Sequence, residues 1–180
     1  ILKLRNFINL NKSTDLKEIF SIIFPEFMCL NRLDRLNKIC NYSQINRDLL
    51  LAVLLTDEKN SHEYFVHKYN TSNKIKDNLD LFAKNLINLK ENKNFFDKDL
   101  EKNIYFNGKK HLIDLNIANF TINNKVNLKD FFKILKKILH SKLHEFPIDG
   151  KFLIQNGMKE GANLGKVLKL IEKEWIKNNF

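Results

Sequence analysis

The chain predicts an all-α protein, about seven or eight helices packed as an irregular array. Three observations carry that expectation. Glycine and proline, which interrupt helices, number only five and two in 180 residues. Apolar residues recur at intervals of three and four almost throughout, the spacing of a buried helix face. The alternation of Val or Thr with polar residues that marks strands is scarce.

The elements follow in order. Leu2, Leu4 and Phe7–Ile8 read as the end of an incoming helix. Asp15, with Glu18 three residues on, caps a helix presenting Leu16, Ile19, Phe20 and Ile23, and Pro25 stops it. Leu30, Leu33, Leu36 and Ile39 form the next stripe. Asn46–Thr56 is apolar nearly all round and should be the most buried helix. Thr71 or Ser72 starts another, with Ile75, Leu79, Phe82 and Leu86 inward. Phe95 to Phe120 reads as helix, interrupted near Asn107–Gly108. Asn127 caps an amphipathic helix through Leu128, Phe131, Phe132, Leu135, Ile138 and Leu139, which ends before Pro147. The chain divides into a helical body, residues 1–145, and a tail, residues 146–180. No internal repeat at a fixed period is present.

Hydrophobic residues make up 43% of the chain, enough for a sizeable core. The longest apolar run, Leu49–Leu55, is far shorter than the roughly 18–20 residues of a membrane span. Cys29 and Cys40 lack metal-ligand spacing and read as reduced thiols of a cytoplasmic protein. There is no signal-peptide pattern, and a start at Ile1 reads as a piece of a longer chain. The net charge of +10 invites nucleic acid as partner. A bland cause competes: Lys, Asn, Ile and Phe are all inflated and only four residues are Arg, the colouring of an AT-rich genome. The excess is spread along the chain, so only local stripes are informative.

The stretch Asp149–Lys166 holds four of the five glycines, Gly150, Gly157, Gly161 and Gly165. "KFLIQNG" reads as a short helix with Gly157 as its C-cap. A last helix runs from about Ala162 to Lys177. At the helical angle per residue, Leu164, Val167, Leu168, Ile171 and Trp175 fall within about 100° of one another. Lys166, Lys169, Lys173 and Lys177 fall within about 80° on the opposite side. A glycine-bearing hairpin before a helix N-terminus aims backbone N–H groups outward, where an anion is welcome. Lys159 at the tip and Lys166 one turn in add charge. The competing reading is an ordinary helix–helix turn with solvated lysines.

The same residues carry a resemblance. Pro147, Gly150, Leu153, Gly157, Gly161, Leu164, Gly165, Leu168, Glu172, Trp175 and Ile176 stand in the order and spacing that end bacterial tRNA nucleotidyltransferases. These are the CCA-adding enzymes, grouped with bacterial poly(A) polymerases. Ala162, where that family often has proline, and Phe152, often Asp, depart from the pattern. Upstream the likeness is looser but collinear. "ILKLRNFINLNKSTDLKEIFSIIFPEF" resembles the helix after the neck begins, "NRLDRLNKI", "LLLAVLL" and "TSNKIKDNLDL" resemble body segments, and "IYFNGKKHLIDL" resembles the segment before the tail.

The resemblance implies an RNA-binding role. The body and tail would hold the acceptor-stem and TΨC side of tRNA, or another RNA 3′ end, by phosphate contacts and shape. Gly157, Gly161 and Gly165 would shape the grip, and Lys159, Lys166, Lys169 and Lys173 would supply charge. The family's catalytic head, with its glycine-rich loop and magnesium-holding carboxylates, has no counterpart here, so catalytic residues and metal ligands are expected to be none. Magnesium and ATP or CTP would come only with such a head, in the same or a separate chain. "DKD" (Asp97–Asp99) has the carboxylate spacing but no preceding glycine loop, and "NFTIN" (Asn119–Asn123) has Asn119 where the head's similar string has an acid. An alternative from another class is a non-catalytic structural remnant of a truncated or split polymerase gene. A homodimer is compatible with either, and CCA addition is not distinguishable from poly(A) addition.

Other constellations are weaker. His140 and His144, four apart on one helix, lack a third zinc ligand and read as surface residues. His62 and His67 lack a neighbouring Asp. Tyr105, Phe106 and Phe120 could stack bases but fit a core better, and Trp175 reads as core.

Overall fold

The computed structural model describes residues 22–27, 29–40, 45–57, 60–178 and 180. The expected helices at Leu2–Ile8 and after Asp15 lie outside these, apart from Ile22 and Ile23. Among the described residues the protein is all-helical, with eight α-helices and no strand. They are α1 (Arg32–Leu36), α2 (Arg47–Leu55), α3 (Ser61–Lys68), α4 (Asn73–Glu91), α5 (Leu100–Ile122), α6 (Leu128–His140), α7 (Gly150–Gln155) and α8 (Ala162–Lys177). A 3-10 turn, Pro25–Phe27, precedes them.

The core forms around α2, where every residue from Leu49 to Leu55 is buried, as an all-round apolar helix requires. Each of its buried leucine and valine side chains contributes about 1.5–3 kcal/mol by leaving water. Asn46 starts α2 by accepting the Leu49 N–H at 2.8 Å. Around α2 pack α3, α4 and α5, and α5 also packs on α1 and α6. Leu79, Phe82 and Leu86 of α4 face inward as their spacing predicts.

Two arginines close the body. Helix C-termini leave carbonyls without intrahelical partners. Arg32 Nη1 donates to the carbonyls of Val53 (2.8 Å) and Thr56 (2.7 Å), at the end of α2. Arg35 donates to the Phe120 carbonyl from Nε (3.0 Å) and Nη2 (2.7 Å), and from Nη2 to Asn123 (3.1 Å) and Val126 (2.9 Å). Its guanidinium also lies 4.6 Å from the centre of the Phe120 ring. Short as it is, α1 thereby ties the ends of two longer helices.

Two boundaries differ from the sequence expectation, the start of α5 and the end of α6. Residues 93–99 form turns, and α5 begins at Leu100, not Phe95. The Asn94 N–H goes to Asn92 Oδ1 (2.9 Å), and Asn92 Nδ2 donates to Asp99 Oδ2 (2.8 Å). Such local side-chain bonds offer the backbone an alternative to helix. The interruption of α5 falls at Gly108, where it was expected, with φ 78° and ψ 151°. α6 stops at His140, where Ser141 turns extended and its hydroxyl donates to the Lys137 carbonyl at 2.7 Å. His144 is therefore off that helix.

Candidate nucleic-acid interface

The tail starts at Asp149, whose Oδ1 accepts the Phe152 N–H at 2.8 Å and caps α7. The helix ends in a Schellman arrangement. The Met158 N–H returns to the Leu153 carbonyl, and the Gly157 N–H to that of Ile154, both at 3.0 Å. This closure puts the residue after the C-cap at positive φ, and Gly157 has φ +91°.

Gly161 sits at the N-cap of α8 with φ +145°. No side chain caps this helix. The N–H groups of Ala162 and Asn163 have no protein acceptor among the described residues, so they face outward with the positive end of the helix dipole. They line a concavity of about 320 Å³ together with Met158, Lys159, Glu160 and Gly161. Gly165 lies one turn further, exposed, with nothing within 4 Å of where a Cβ would stand. Its missing side chain leaves bare helix beside the hairpin and serves no internal packing. Gly150 is the glycine that packing needs: a Cβ there would meet Leu164 Cδ2 at 3.1 Å, where α7 crosses α8.

Lys159, Lys166, Lys169 and Lys173 are exposed, and none is in an ion pair among the described residues. Lys177, further along, pairs with Glu174 at 3.4 Å. The structure thus brings the expected lysines onto the open face of the helix that begins at the concavity. Glu160 shares the lip and opposes an anion there.

The tail is seated on the body by aromatic rings. Trp175 is half-buried, not core, with ring centres 5.6 Å from Tyr105, 5.4 Å from Phe146 and 4.8 Å from Phe180. The Tyr105 hydroxyl donates to Glu172, and that carboxylate pushes the tyrosine pKa up to about 12. His144 accounts for itself here. Its Nε2 lies 2.7 Å from Glu101, and its ring stacks on Phe180 at 3.9 Å. Ile176, a quarter-turn off the predicted apolar stripe, is the buried residue of α8. The helix is therefore held along a line beside its apolar stripe, through Glu172, Trp175 and Ile176.

Elsewhere, a cleft of about 480 Å³ near the Gly108 break gathers Arg47, Asp48, Asn78, His111 and Asp114. Its polar groups largely satisfy one another: Asn78 donates to Asp48 at 3.0 Å, and Asn85 Nδ2 lies 3.0 Å from His111 Nε2. Burial lowers the His111 pKa and raises that of Asp114. His62 does have an acidic neighbour, Asp80, with Nε2 to Oδ1 at 3.8 Å, supplied from α4 and not from adjacent sequence. Phe120 is core, while Phe106 is exposed. Cys29 and Cys40 are unbridged. Asp97 and Asp99, the pair with carboxylate spacing in the sequence, are each taken up by another side chain. Asp97 is tied to Lys137, Asp99 to Asn92, and no three His, Cys, Asp or Glu side chains converge among them. No described helix is long and apolar enough to cross a membrane.

No protein-family model, no curated protein and no solved structure matches the chain.

Proposed function

We propose that the α7–α8 hairpin and the lysine row of α8 hold the phosphate backbone of RNA. In this reading the chain is the body and tail of a protein similar to tRNA nucleotidyltransferases and poly(A) polymerases, and chemistry at the RNA 3′ end belongs to a head domain. One observation carries the proposal. The N-terminus of α8, without a side-chain cap and reached through positive-φ backbone at Gly157 and Gly161, continues directly into the exposed Lys166, Lys169 and Lys173, which have no ion-pair partner among the described residues. Backbone N–H groups and a helix dipole suit one phosphate, and lysines a turn apart suit the next ones along a strand. Recognition of this kind reads shape and charge, not sequence.

The test compares tRNA binding by the wild-type chain with two variants of equal charge loss. One changes Lys159, Lys166, Lys169 and Lys173 to Gln. The other changes exposed lysines of other elements, Lys74, Lys76, Lys84 and Lys98, to Gln. The first should bind about tenfold or more weakly, with a log-affinity against log-salt slope shallower by about 3. The second should lose far less. Glu160→Gln should tighten binding by removing the opposing charge. Equal losses in the two quadruple variants would mean diffuse attraction to a basic protein and would overturn the assignment.

A further inference from the structure

The outer face of α6 is the strongest unused feature of the molecule. Phe131 and Ile138 of this helix are buried against the body, which α6 meets chiefly through α5. On another side Leu128, Phe132 and Leu139 stand 42%, 54% and 55% exposed. At helical geometry these three lie within about 40° of one another and span about 16 Å of the axis. Beside them, further round, runs a second row, Lys129, Lys133 and Lys136. All three are exposed, and none is in an ion pair among the described residues.

We infer that this face docks an acidic amphipathic helix of a partner protein. The apolar row gives anchors one and three turns apart, the register in which one helix receives another. The lysine row on its flank requires acidic residues beside the partner's apolar stripe. A second copy of this chain fits badly in antiparallel pairing of α6 with itself, which would set lysine row against lysine row. A lipid surface fits badly too, since the exposed stripe is far narrower than the broad apolar face of an interfacial helix. Leu128 and Leu139 offer RNA neither a hydrogen bond nor a ring to stack on.

The experiment uses synthetic helices of about three heptads with Leu at a and d. One version carries Glu at e and g, a second carries Lys there, and a third scrambles the Glu version. Binding to the intact chain is measured by anisotropy of a labelled peptide. The Glu helix should bind at least about tenfold more tightly than the scrambled one, equivalent to about 1.4 kcal/mol. Phe132→Ser with Leu139→Ser should abolish that difference, and circular dichroism should show the fold intact because both residues are more than half exposed. Reversing Lys133 and Lys136 to Glu should move the preference to the Lys helix. Equal binding of Glu and scrambled helices overturns the proposal, and so does binding that survives the serine double variant. Anionic vesicles or single-stranded RNA that bind this face and lose binding in the serine variant, where the Glu helix does not, also overturn it.

Discussion

Replacing Arg35 with alanine should be among the most damaging single changes in the body. The guanidinium serves three carbonyls, those of Phe120, Asn123 and Val126, at 2.7–3.1 Å. A hydrogen bond from a charged donor contributes about 1.5–3 kcal/mol net. The site is only partly buried, so the freed carbonyls regain water and the lower end of that range applies. Three carbonyls then give about 4.5 kcal/mol, with about 0.5–1 kcal/mol more from the lost contact with the Phe120 ring. Against a total stability of about 5–15 kcal/mol that is a large share. For a chain of this size it lowers Tm by about 10 °C. Urea unfolding followed by circular dichroism should show the midpoint falling with the slope unchanged. Arg35→Lys should recover only part of the loss, since an ammonium lacks the planar fork that spans three acceptors. Arg47, whose side chain is 52% exposed and pairs with Asp48, is the control. Arg47→Ala should cost less than about 0.5 kcal/mol. An Arg35→Ala cost below about 1 kcal/mol, or one no larger than that of Arg47→Ala, would refute the idea that α1 fastens the end of α5.

The glycines should separate by backbone, not by position in the motif. Gly161→Ala and Gly157→Ala force a side chain into positive φ and should each cost about 1–2 kcal/mol in thermal melts, whereas Gly165→Ala should stabilise by about 0.5–1 kcal/mol. The Tyr105–Glu172 bond makes the tail's seat sensitive to alkali. The folded pKa is raised above the ordinary value of 10.0, so the bond contributes fully below pH 10 and is lost as pH rises through about 12. Burial also raises the Tyr69 pKa, so ultraviolet titration should show more than one tyrosine ionising late, and Tyr105→Phe should remove the part near pH 12. Gly108→Ala should cost about 1–3 kcal/mol through backbone strain and should also disturb the near-ultraviolet signal of Trp175.

The helices were largely legible because their signals are local. Asn127 caps where its residue type predicts, accepting the N–H of Asp130 at 2.9 Å. Gly157 ends α7, and α8 spans Ala162–Lys177 as its periodicity indicated. The tail glycines and lysines likewise stand together as their spacing implied. What escaped was non-local. Arg35 looked like one of four scattered arginines, yet its acceptors lie 85 to 91 residues away. The burial of Ile176 depends on which edge of α8 meets the body, and a single helix wheel does not contain that information. The early end of α6 turned on one Ser hydroxyl competing for a carbonyl, against an apolar pattern that ran on.

The break at Gly108 resets the phase of a helix that has two clients. In an unbroken α-helix, residues seven apart return to within about 20° of the same direction. Tyr105 would then point with Leu112, which is completely buried. It would compete for space in the core, and the tail would have no ring to land on. One residue of non-helical backbone rotates the two halves relative to each other. The downstream half can then serve the interior while Tyr105 turns to Trp175 and Glu172. The orientation of α8, and with it the direction in which its lysines face, is set by a torsion more than fifty residues upstream.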